Sequence, residues 1–106
     1  MAKFLIEGKY SVEGAKGLLK DGGSGRRAAI EKAAQSVGGK LESIYFAFGD
    51  TDVFAVLDMP DNISMTALAL AVGAAGAVGI TTTVLMTPEE VDEAVKKHPS
   101  YRAPGQ

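Results

Sequence analysis

KLESIYFAFGDTDVFAVLDMP, residues 40–60, reads as two β-strands back to back. Over residues 40–48, Ile44, Phe46 and Phe48 fall on one side of an extended chain. Leu41, Ser43, Tyr45 and Ala47 fall on the other, the period-2 alternation of a strand. Residues 53–59, VFAVLDM, set Val53, Ala55 and Leu57 against Phe54 and Val56. The turn Gly49-Asp50-Thr51-Asp52 joins the two runs, and so short a connection predicts an antiparallel hairpin. Pro60 has no N–H for a ladder and ends the second strand.

Towards the N-terminus, KFLIEGKY (residues 3–10) alternates Phe4 and Ile6 with Glu7 and Lys9 and reads as a first strand. Ser11 before Val12-Glu13-Gly14 is placed to cap a helix. The glycines of Asp21-Gly22-Gly23-Ser24-Gly25 predict a break, with the helix resuming from Arg26. Ala29, Ile30, Ala33, Ala34 and Val37 recur at helical spacing, and Gly38-Gly39 supplies the stop. Towards the C-terminus, Asp61 or Asn62 can cap a second helix over about 63–75, loosened at its exit by Gly73, Gly76 and Gly79. VGITTTVLMT (residues 78–87) is β-branched and predicts a fourth strand. Thr87-Pro88-Glu89-Glu90 offers a cap, an N1 proline and two acids to a last helix, which carries Val91, Ala94 and Val95. That helix is expected to end near His98-Pro99.

The order β-α-β-β-α-β plus a terminal helix predicts a ferredoxin-like α+β fold: a four-stranded antiparallel sheet with both helices on one face. A length of 106 residues fits one domain, 1–106. The absence of cysteine removes disulfides, thiol nucleophiles and cysteine metal sites, and fits a cytoplasmic location. Eleven basic and thirteen acidic residues leave a net charge of −2, with no basic surplus to neutralise a phosphate backbone, so no nucleic-acid partner is expected. The N-terminal apolar run stops at Glu7, too short for a signal-peptide core. The apolar run from Met65 to Ile80 falls short of the roughly 20 residues that span a bilayer, and no membrane association is expected.

A sheet covered by helices on one side should carry one apolar and one polar face. Both hairpin strands are apolar on both sides, and the fourth strand offers Ile80 and Val84 on one face and Leu85 on the other. One face would then expose more apolar surface than a monomer usually carries. A homodimer or higher homo-oligomer through that sheet face is the expected solution. The alternative is a terminal helix folded across it.

These residues resemble the GYD-domain family, small bacterial proteins related to the dimeric α/β-barrel group. The resemblance is carried by GKY (8–10), GGKLESIYFAFG (38–49), the turn GDTD (49–52) and ALALAVGAAGAVGITTTVLMTPEE (67–90). Gly49 and Asp52 stand where the family has its glycine and aspartate, while Thr51 stands where a tyrosine is more usual. The resemblance implies a ferredoxin-like fold with sheet-to-sheet dimers and brings no settled activity.

Candidate ligand-binding residues are few. Asp52 can serve as a carboxylate base or ligand anchor at the sheet rim, or as a turn residue bonding its own backbone. Tyr10 and Tyr45 can line a pocket between sheet and helices, or pack in a core or interface. Arg26 and Arg27, read as opening a helix, can hold a small anion with free first-turn N–H groups. Their plainer role is a solvated face, with Arg27 one turn from Glu31. Gly23-Ser24-Gly25-Arg26-Arg27-Ala28 matches G-x-G-x-x-A in letters, but no strand precedes it, and GLLKDGGS (17–24) lacks the lysine of a phosphate-binding loop. His98 is the only histidine and has no second histidine or cysteine to complete a metal site. No cofactor and no metal are expected.

Three functions compete. One is a non-catalytic homo-oligomeric module, small-molecule-binding or regulatory, with its ligand in a sheet–helix cleft. Another is a small cofactor-independent enzyme of isomerase or monooxygenase type using Asp52 or Tyr45. The third is a structural module that contacts another protein through its last helix or tail. The poverty of catalytic groups favours the first.

Overall fold

A computed structural model describes residues 1–106. The elements run β1 (Ala2–Tyr10), α1 (Val12–Ser36), β2 (Lys40–Phe46), β3 (Val53–Met59), α2 (Asn62–Ala75), β4 (Val78–Leu85) and α3 (Pro88–Val95). The sheet is antiparallel throughout, in the order β2-β3-β1-β4. This is the ferredoxin-like α+β arrangement with an added C-terminal helix.

Alternation in the strands sorts their side chains. Phe4 sits between Leu57 and Val84, and Ile6 between Ala55 and Thr82, so these residues share one face of the sheet. Ala34 of α1 and Met65 and Leu68 of α2 join Phe4, Ile6, Ala55, Leu57 and Met59 in one buried cluster. Both helices therefore lie on that face. Met59 and Ala34 are fully buried and mark its centre. Only 12 of the 106 residues are buried, so the core is thin and much apolar surface remains outside it.

Local chemistry sets the helix ends. The Ser11 hydroxyl accepts the Gly14 N–H at 3.1 Å, and the Asp61 carboxylate accepts the Ser64 N–H at 2.8 Å. Thr87 and Glu90 form a reciprocal capping box, with Pro88 in the first turn. The end of α1 is closed by Gly38 at φ 84°, with the Gly39 N–H reaching back to the Ala34 carbonyl.

The expected break falls at Gly22, where φ 72° and ψ 172° leave the helical region, so α1 is two helical segments joined across a kink that glycine permits. Four expectations need correction. The second segment resumes at Gly23 rather than at Arg26, so Arg26 and Arg27 lie inside it and do not open it. Strand β2 ends at Phe46, two residues early, so the hairpin connection is Ala47–Asp52, and Phe48 is fully exposed in it. Within β2 the register shifts between Leu41 and Ser43, leaving Glu42 as an extra residue. This bulge brings Leu41 onto the helix-facing side with Ile44 and Phe46, opposite to what strict alternation implies. Finally, β4 stops at Leu85 and α3 at Val95, each short of its expected end.

The outer face carries Leu5, Phe54 and Val56, with Tyr45 72% exposed beside Phe54. Charged pairs border this apolar belt. Lys3 meets Glu42 and Asp58 at one end, and Lys9 faces Asp52 at 3.6 Å at the other. Helix α3 buries none of its residues, and Val91 and Val95 stay exposed. It does not seal the outer face.

Candidate functional site

Helix α1 packs mainly on edge strand β2 and α2 mainly on edge strand β4, so the two helices diverge over the central strands β1 and β3. A cleft opens between them. Its floor is Ile6, Ala55 and Leu57; Ala29 and Ala33 of α1 form one wall, and Leu68 and Val72 of α2 the other. The small side chains on α1 and at Ala55 leave space that leucines in their place would fill. The resulting cavity has a volume of about 130 Å³. Thirteen of its fourteen lining residues are hydrophobic, and Arg26 is the exception. The cleft opens to solvent along α1, where Ala29 is exposed, and leaves apolar side chains of the sheet incompletely covered.

Tyr10 closes one end of the cleft, and its position is fixed from two sides. Its backbone N–H donates to Asp52 Oδ2 at 2.9 Å. The Asp52 N–H in turn donates to the Gly8 carbonyl at 2.8 Å, and the Asp52 carbonyl accepts from Ala47. On the other side Tyr10 abuts Gly14, where any side chain would collide with the Ala77 carbonyl. That carbonyl also accepts the Ser11 N–H and hydroxyl, tying the start of α1 to the α2–β4 connection.

A family model for the GYD domain matches residues 4–95, most of the chain. The chain belongs to the GYD-domain family. No curated protein and no solved structure matches it.

In this GYD domain the five candidate residues fall into separate places. Tyr10 and Arg26 line the same cavity. Asp52 lies next to it, holding the Tyr10 backbone, with its other oxygen turned to Lys9. Tyr45 does not line the cleft; it projects from the outer sheet face, because β2 alternation places it opposite Ile44 and Phe46. Arg27 borders a shallow hollow at the β2 edge with Glu31, Glu42 and Tyr45, and pairs with neither carboxylate.

The segment Gly23–Ala28 of the GYD domain is helical, so it forms no strand-to-helix phosphate loop. His98 is exposed beyond α3, and no group of three or more His, Asp and Glu residues could hold a metal ion. No helix is long and apolar enough to cross a membrane. Sequence reasoning missed the alanines at 29, 33 and 55 as cavity formers. Their spacing was visible, but small residues facing one another equally describe close helix–sheet packing.

Proposed function

We propose that this GYD domain is a non-catalytic, homo-oligomeric module that binds a small molecule in the cleft between its helices and the sheet. The cavity over β1 and β3 carries this reading. It leaves apolar surface over the centre of the sheet incompletely covered, and a small apolar ligand seated there would bury it.

The chemistry of the lining supports binding over turnover. No aspartate, glutamate, histidine, lysine, serine or threonine faces the cavity; Tyr10 and Arg26 are its only ionisable groups. General acid–base work needs a group of suitable pKa within hydrogen-bond reach of the reacting atom. Asp52, the one carboxylate nearby, already accepts a backbone N–H.

Self-association is supported by the outer face. Leu5, Phe54, Val56 and Tyr45 form an apolar cluster that shares the face with Glu7 and with Thr81 and Thr83 of β4, with ion pairs at both ends, a mix of apolar and polar groups that a protein interface can cover. A second copy placed sheet to sheet would cover it. The exposed Val91 and Val95 give α3 an apolar stripe, at helical spacing, for the same partner.

A thermal-unfolding screen against small apolar and amphipathic metabolites tests the binding reading. A ligand at one hundred times its Kd should add about 2.7 kcal/mol, roughly 12 °C for a chain of this length. A panel in which no compound stabilises the protein sinks the proposal.

A further inference from the structure

Arg26 narrows what the cleft can hold, and this inference rests on the cleft being a binding site. Its side chain is half-buried, and it is the only charged residue that lines the cavity, which it meets chiefly with its apolar stem so that the guanidinium stands at the edge. None of the molecule's ion pairs includes it. A guanidinium partly removed from water without an anion leaves a planar fork of donors unmatched, and a carboxylate fits that fork with two parallel hydrogen bonds. A single cation at the wall also argues against phosphates and nucleotides, whose multiple charges call for several donors.

The volume sets the body of the ligand. An engineered apolar cavity of about 150 Å³ admits one benzene molecule. The cleft offers about 130 Å³, walled by aliphatic side chains and by the flat ring of Tyr10. We propose that the cleft binds a small apolar monocarboxylate, one aromatic ring or one short branched alkyl group, with Arg26 gripping the carboxylate and the body lying over Ala55 and Leu57.

The test compares benzoate with its neutral isostere benzamide, by calorimetric titration and by the methyl NMR signals of Ile6, Leu57 and Leu68. In the native protein both compounds should shift those methyls, and benzoate should bind about tenfold tighter or more. Arg26→Gln should abolish the preference, lowering benzoate affinity far more than benzamide affinity. Ala29→Phe, at an exposed position on the wall, should weaken both. Equal binding of the two compounds, or a benzoate preference that survives Arg26→Gln, overturns the monocarboxylate assignment and leaves cleft binding standing. Unmoved methyl signals with both compounds overturn cleft binding as well.

Discussion

Asp52→Ala deletes the carboxylate that takes the Tyr10 N–H at 2.9 Å and leaves that half-buried donor without a partner. A hydrogen bond to a charged group contributes about 1.5–3 kcal/mol. The Lys9 ammonium at 3.6 Å is largely in solvent and adds little to this. The main-chain links from Asp52 to Gly8 and Ala47 do not depend on the side chain and survive. The loss is therefore about 2 kcal/mol. Unfolding entropy near 2.1 cal/mol/K per residue over 106 residues converts this to a fall in Tm of roughly 9 °C. Asp52→Asn keeps an acceptor oxygen and should recover more than half of the loss. Calorimetry of the three proteins reads the stability, and amide exchange at Tyr10 reads the hydrogen bond itself, with faster exchange expected only in the alanine variant. If alanine and asparagine cost the same, or if alanine leaves the melting temperature unchanged, Asp52 does not act by holding the Tyr10 backbone.

Two further outcomes follow from the same geometry. Phe54→Lys puts a charge in the middle of the outer apolar belt, and sedimentation should show the oligomer dissociating into folded protomers; an unchanged sedimentation coefficient for an oligomeric native protein would place the interface elsewhere. The Ser64 N–H holds the Asp61 carboxyl below its ordinary value of 3.8, so the folded state gains from the ionised form. That gain is complete above pH 3.8 and fades as the pH falls through the lower folded-state value, so native stability should decline in that acid window, and Asp61→Asn should flatten part of the decline in pH-dependent denaturation.

Element type, order and the helix starts were legible in the chain because they rest on interactions within a few residues, whereas the ends of β2, β4 and α3 were not. Ser11, Asp61 and Thr87 cap their helices through N–H groups three positions on, and such contacts need no tertiary partner. The alternation of β1 and β3 sorted their side chains by face correctly for the same reason. The glycine-rich run at residues 21–25 likewise announced its break, which falls at Gly22.

What the chain could not disclose on its own was every feature that depends on a partner distant in sequence. The bulge at Glu42 exists only in the pairing of β2 with β3, and it moves Leu41 across the sheet. Asp52 acquires its role from Tyr10, across the sheet from the turn that holds it. The cavity arises where α1 and α2 diverge towards opposite edges, a relation between two helices that neither sequence encodes alone. Side-chain alternation is local and survives translation into a fold; empty space is a difference between surfaces, and only the assembled layers define it.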